Sequence, residues 1–185
     1  MKSEKEKMLA GELYLASDPL LMAERLKARE LLHRFNHSRP AESQLRLNLL
    51  SDLLGKIGKN FWIEPPFFCD YGYNISCGDD VFFNFNCVVL DVTPVKIGHR
   101  VLIGPNVQFY AATHPMDHKV RGTLLESGKG IIIEDDVWIG GGAILCPGVK
   151  IGARSVIGAG AVVTKDIPPD TFAGGIPCAT IKKLK

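Results

Sequence analysis

The sequence predicts a mainly β protein: a parallel β-helix of six-residue repeats preceded by a short helical segment. Three observations carry this reading. Aliphatic residues recur every six positions through the C-terminal half, leucines recur at helical spacing near the start, and one polar stretch interrupts the six-residue phase. Apolar residues make up 46% of the 185 and charged residues 23%, which suits a chain that buries a core and excludes a disordered one.

The helical segment covers residues 1–56. Met8, Leu9 and Leu13, then Leu26, Leu31, Leu32 and Phe35, then Leu45, Leu49, Leu50, Leu53 and Leu54 follow helical intervals and predict two or three short amphipathic helices. Asp18-Pro19 reads as an N-cap with proline at the first helical position, Pro40 divides the second helix from the third, and Gly55 and Gly58 end the pattern. His33 and His37 have the spacing of a metal pair, but no third ligand accompanies them, so they read as surface or half-buried histidines.

The repeat covers residues 57–185. Six consecutive hexads, beginning at Ile133, Ile139, Leu145, Ile151, Ile157 and Val163, hold one aliphatic phase. Earlier hexads begin at Cys77, Phe83, Ile97 and Ile103, with a slip of two residues near Thr93-Pro94. One hexad is a short strand and a turn, with Gly or Asn/Asp at the corner. Three hexads close a triangular coil, and stacked coils about 4.8 Å apart fill a narrow prism with aliphatic ladders. Gly140-Gly141-Gly142 is a hexad corner, since no helix follows it as a nucleotide fingerprint requires.

The phase breaks at about 110–130. This stretch holds Thr113-His114-Pro115 and His118, and it reads as a loop that leaves the prism and returns, the kind of loop that carries function.

A net charge of +2 gives no basis for a nucleic-acid partner, and no apolar run has the length of a signal peptide or a membrane span. The expected location is the cytoplasm. Five cysteines without a Cys-x-x-Cys pair read as small hydrophobes.

Lys5 to Tyr14, Asn36-His37-Ser38, Cys69-Asp70-Tyr71-Gly72-Tyr73-Asn74-Ile75, Leu90-Asp91-Val92 and Ala112-Thr113-His114-Pro115 resemble the sugar O-acetyltransferase branch of the hexapeptide acyltransferases, whose members include maltose and galactoside O-acetyltransferases. The likeness spans essentially the whole chain. It implies a left-handed parallel β-helix and a homotrimer with sites between neighbouring prisms. It further implies acetyl-CoA as acyl donor, a hydroxyl of a sugar such as maltose or glucose as acceptor, and no metal. Another alcohol or an amine as acceptor is the alternative. A zinc β-helix enzyme of the γ-carbonic anhydrase kind needs three converging histidines, and the spacing of His99, His114 and His118 departs from that pattern.

Attack of an alcohol on a thioester needs the hydroxyl proton removed, which suits histidine. The resemblance selects His114 as general base. Asp117, Glu126 or a backbone carbonyl are all open as the group that holds its other nitrogen. Asn84 stands where most hexads place glycine, and its amide suits donation to an oxygen of the substrate or tetrahedral intermediate. The resemblance implies that Asp70, Asp91 and Glu126 bind the acceptor and that Gly141, Ala159, Thr164, Lys165 and Lys182 bind acetyl-CoA. Phe82 and Ala179 depart from the tyrosine and arginine that relatives carry.

Overall fold

The computed structural model describes residues 2–185; residue 1 of the helical segment lies outside the described residues. Ser3 caps the first helix, α1 (Glu4–Leu9), through a reciprocal box with Glu6, and a two-residue strand, β1 (Tyr14–Leu15), follows. The Asp18 side chain accepts from the backbone N–H groups of Leu20 and Leu21 and starts α2 (Pro19–Asn36) with Pro19 at the first helical position. The third helix is α3 (Ser43–Leu53). Leu32 and Phe35 of α2 and Leu49, Leu50 and Leu53 of α3 are buried in one core with Phe61 and Phe67 of the first coil. The helices therefore close one end of the prism. Asn36 fixes them there: its Nδ2 donates to the Phe67 carbonyl and its Oδ1 accepts from the Phe67 N–H, at 2.9 Å each. These bonds satisfy part of a strand edge that would otherwise stand open.

The coils follow in chain order. The first holds β2 (Trp62–Ile63) and β3 (Phe67–Cys69), the second β4 (Ile75–Cys77), β5 (Phe82–Phe83) and β6 (Cys87–Leu90), the third β7 (Val95–Ile97), β8 (Leu102–Ile103) and β9 (Gln108–Tyr110). An arm then leaves the prism with β10 (Ala112–Thr113), the short helix α4 (His118–Arg121) and β11 (Leu125–Gly128). The fourth coil holds β12 (Ile131–Ile133), β13 (Trp138–Ile139) and β14 (Ile144–Leu145), the fifth β15 (Lys150–Ile151), β16 (Val156–Ile157) and β17 (Val162–Val163). Strand β18 (Thr171–Gly174) opens a final partial coil, and β19 (Ala179–Lys183) turns back antiparallel upon it.

Strands of successive coils pair in parallel to form three faces. The first contains β4, β7, β12 and β15; the second β2, β5, β8, β13, β16 and β18; the third β3, β6, β9, β14 and β17. Inside, apolar residues stack in register, as Ile63, Phe83, Ile103, Ile139, Ile157 and Ala173 do on the second face. Outside, the faces differ. The second face presents Trp62, Phe82, Leu102, Trp138, Val156 and Phe172 in one apolar ladder. The third presents Phe68, Val88, Gln108, Ile144 and Val162, and the first is mixed, with Ser76, Lys96, Ile132 and Lys150.

Corner chemistry follows the same stacking. Between the first and second faces, Asn60, Asp80, Arg100, Asp136, Arg154 and Asp170 all take left-handed φ of 55–61°. Their side chains pair along the stack, Asn60 to Asp80, Arg100 to Asp136 and Arg154 to Asp170. The breaks in the six-residue phase have a single location. Residues 70–74, 91–94 and 111–130 each connect the third face to the first face of the following coil. Extra chain therefore accumulates at one corner, and the candidate site lies there.

The arm has more structure than the polar sequence of 110–130 suggests. Strands β10 and β11 form an antiparallel hairpin, and β11 also pairs with β1, Tyr14 opposite Glu126 and Leu15 opposite Leu125. The short helix α4 starts beyond Pro115, where Asp117 caps it by accepting from the N–H groups of Lys119 and Val120. Gly128 fits only without a side chain, since a Cβ there would lie 2.6 Å from Val92 and 2.7 Å from Thr93.

Candidate active site

The corner that collects the extra chain encloses a polar cavity of about 170 Å³. Its charged lining is Asp70, Glu126, Arg25 and Arg29. Arg25 is held in place: its guanidinium donates to the Tyr71 hydroxyl and to the Ala16 carbonyl, both at 2.6 Å, and lies over the Tyr71 ring. Arg29 is exposed, one helical turn further along α2. Asp70 is half-buried. Loss of solvent and then the neighbouring Glu126 push its carboxyl above the usual range, while Arg25 and Arg29 pull it back. Two carboxylates thus face two guanidinium groups in a pocket that can both accept from and donate to hydroxyl groups.

Asp91 stands behind this wall. Its side chain is fully buried, and its Oδ1 accepts from the backbone N–H groups of Asp70 at 3.0 Å and Tyr71 at 2.9 Å. Burial pushes its carboxyl up to about 6, against the lowering effect of those bonds. Among the described residues its Oδ2 has no hydrogen-bond partner, nor do the buried Tyr14 hydroxyl and Thr93 Oγ1.

His114 follows β10 on the arm and is exposed. Of the groups open as its holder, Asp117 is already committed to capping α4. Glu126 lies on β11, the strand paired with the β10 strand that precedes His114. His33 and His37 stack at 4.3 Å between ring centroids, and the His37 Nδ1 meets the His33 carbonyl. His99 is exposed at another corner, its Nδ1 accepting from the Asp79 N–H.

The remaining sequence-derived positions lie elsewhere on the prism. Asn84 turns the chain from the second face to the third; its Oδ1 accepts from the Phe85 N–H at 2.8 Å, and its Nδ2 has no partner among the described residues. Gly141 and Ala159 occupy the same corner in later coils, stacked upon Gly104 and Gly140. Gly142 and Gly160 there have φ of 70° and 69° and open space where a Cβ would stand, so the backbone at this corner is bare. Thr164 and Lys165 are exposed three coils beyond Asp91, on its corner. Lys182 lies on β19, paired with Phe172. A single chain therefore gathers Asp70, Asp91 and Glu126 at one corner and Asn84, Gly141 and Ala159 at another.

Sequence reasoning did not single out Arg25, Arg29 or Tyr14. The two arginines are four apart on one helix and so share a face, a signal that was present in the sequence. Nothing local marks Tyr14, whose place depends on pairing with a distant strand.

Stacked hexads, a helical cap and an arm at one corner define a hexapeptide-repeat acyltransferase. The models of two families match, the maltose acetyltransferase hexapeptide capping motif over residues 7–58 and the bacterial transferase hexapeptide over residues 130–165. The crystal structure of a maltose O-acetyltransferase from Clostridium difficile 630 shares 48% identity, with a TM-score of 0.99 over 100% of this chain and 98% of that one. A hexapeptide-repeat acetyltransferase from Vibrio cholerae, complexed with acetyl coenzyme A, shares 43% identity, with a TM-score of 0.93 over 100% of both chains. The galactoside O-acetyltransferase of Escherichia coli K12 is 41% identical over 97% of this chain and 88% of its own length. The chain belongs to the sugar O-acetyltransferase branch of the hexapeptide-repeat family. Among the described residues no helix is long and apolar enough to cross a membrane.

Proposed function

We propose that the protein transfers an acetyl group from acetyl-CoA to a hydroxyl of a sugar such as maltose or glucose, in the cytoplasm, with His114 as general base. The observation that carries this reading is the corner pocket: Asp70 and Glu126 oppose Arg25 and Arg29 at the root of the arm that bears His114. Carboxylates accept from sugar hydroxyls and guanidinium groups donate to them, and the charges balance, so a neutral polyol fits without an uncompensated charge. Asp70 and Glu126 hold the acceptor, and Asp91 supports them from behind. His114 takes the hydroxyl proton as the new C–O bond forms, the C–S bond breaks, and the proton ends on the sulfur of coenzyme A. Asn84 offers its free Nδ2 to the oxygen that gains charge. Gly141 and Ala159 border the donor's narrow arm, and Thr164, Lys165 and Lys182 meet its polar end.

The apolar second and third faces meet at the corner of Asn84, Gly141 and Ala159, which supports a homotrimer. In such an assembly the corner of one copy adjoins the arm of the next, and the two halves of the site meet between subunits. The deciding experiment follows coenzyme A release from acetyl-CoA with maltose, glucose, other glycosides and a set of amines. Turnover confined to sugars supports the reading, and turnover confined to amines overturns it.

A further inference from the structure

We propose that Asp91 is a positioning residue, which holds the acceptor wall in place through the backbone of Asp70 and Tyr71 without itself touching the acceptor. This rests on the reading of the corner pocket as the acceptor site. Asp91 belongs to the second coil, and the two N–H groups it accepts from belong to the first. One carboxylate oxygen thus joins two coils at the point where both leave the six-residue phase. The Asp91 carbonyl extends the link by accepting from Asn74 Nδ2 at 2.7 Å.

What this link holds is the pocket. The side chain of Asp70 lines it, and the Tyr71 hydroxyl receives Arg25, the guanidinium that is fixed in the wall. Moving the 70–71 backbone would move a carboxylate and a guanidinium together. Among the described residues no other side chain bonds these two N–H groups. The strength of the link depends on charge, because an ionised acceptor holds N–H donors more tightly than a neutral one.

The surroundings of Asp91 make that charge responsive. Cys69, Asp70, Tyr71 and Tyr73 of the first coil's corner face it, Glu126 of β11 and Arg25 and Arg29 of α2 surround the pocket beyond, and the neighbouring Val92 is apolar. Burial moves the carboxyl toward neutrality, within reach of ordinary assay conditions. Protonation of Asp91 therefore loosens the wall and weakens acceptor binding, while Gly141 and Ala159 at the other corner are untouched.

The test compares the intact protein with Asp91→Asn, which keeps the shape and one acceptor oxygen, and with Thr93→Val, which removes the other unpartnered oxygen of that turn without touching Asp70. Amide resonances of Asp70 and Tyr71 are followed from pH 5 to 8 by NMR, and steady-state constants are measured with maltose and acetyl-CoA. In the wild type both amides are expected to shift together with a midpoint near that of Asp91, and in Asp91→Asn this common titration is lost. Asp91→Asn should raise the maltose KM about three- to tenfold, the size expected when a charge-assisted bond becomes a neutral one, with kcat and the acetyl-CoA KM nearly unchanged. Thr93→Val should leave all three constants unchanged. Amides that keep their titration in Asp91→Asn overturn the link, and a lost titration with an unchanged maltose KM overturns the positioning role. Absence of maltose turnover in the wild type would instead count against the sugar reading, and the amide titration would still judge the link.

Discussion

Tyr14 of β1 lies directly opposite Glu126 of β11 in an antiparallel pair. This pairing joins the helical cap to the arm, so that residues from three separate parts of the chain enclose one pocket. Tyr14 is fully buried, while its hydroxyl lies near Glu126 without a hydrogen bond of acceptable geometry. Burial, and then the Glu126 carboxylate, push its ionisation well above the ordinary tyrosine range.

The expected consequence is a split between two substitutions. Tyr14→Phe removes an oxygen that has no partner and should leave stability unchanged within about 1 kcal/mol. Tyr14→Ala empties a buried ring site between Met8, Leu21, Tyr71 and Val92 and should cost about 3–5 kcal/mol. Urea unfolding of both variants measures the split; a large loss in Tyr14→Phe would show that the hydroxyl is bonded after all.

The ease of reading the coils and the difficulty of reading the pocket have one physical origin. A hexad places its aliphatic residue inward in every coil, so Ile139, Leu145 and Ile151 announce the ladder locally. Asp18-Pro19 likewise announces a helix start within two residues, as the cap on Leu20 and Leu21 bears out. The pocket wall depends on short strands that pair across most of the chain, such as β1 with β11, and no local pattern encodes that meeting. Asp70 and Asp91 look alike as turn aspartates in the sequence, yet the structure leaves one at the pocket and buries the other.

Removal of the proposed base gives the most direct chemical prediction. His114→Ala should lower kcat by about 10²–10⁴ while leaving the acetyl-CoA KM nearly intact, because proton removal is lost while the residues proposed to hold the donor are unchanged. Pre-steady-state and steady-state coenzyme A release provide the measurement. Turnover near that of the wild type would remove His114 from the mechanism.

Assembly should depend on the outer ladder of the second face. Trp138 is 55% exposed and Leu102 51% in the isolated chain, an apolar stripe that water does not favour. Trp138→Lys should shift the oligomer seen by light scattering toward the monomer, and turnover should fall in proportion. A fully active monomer would contradict a site shared between copies.

Close packing of the arm on the prism gives a further test. Gly128→Ala would set a methyl group against Val92 and Thr93. Overpacking of this kind costs about 1–3 kcal/mol, and the displaced arm should lose acceptor affinity before donor affinity. Thermal unfolding together with the two KM values distinguishes this from a purely global effect.

The last prediction concerns pH and stability. Asp91 has a folded-state carboxyl raised to about 6 by burial, above the roughly 3.9 of an unfolded aspartate. The folded protein therefore binds this proton more tightly than the unfolded chain does. The stability that the group contributes is fully present below about pH 4 and is lost as pH rises through about 6. Asp91→Asn carries no such group, so the variant should gain on the wild type as pH increases. Between pH 4.5 and 7 the difference in unfolding free energy should move in favour of the variant by an amount on the order of 2 kcal/mol. Asp70 shares the direction of shift and remains in both proteins, so the subtraction removes its direct contribution. Denaturant titrations at both pH values measure the change. A difference that stays constant with pH would mean that Asp91 is ionised as readily in the folded protein as in the unfolded chain, and that burial at this corner is relieved by contacts to Oδ2.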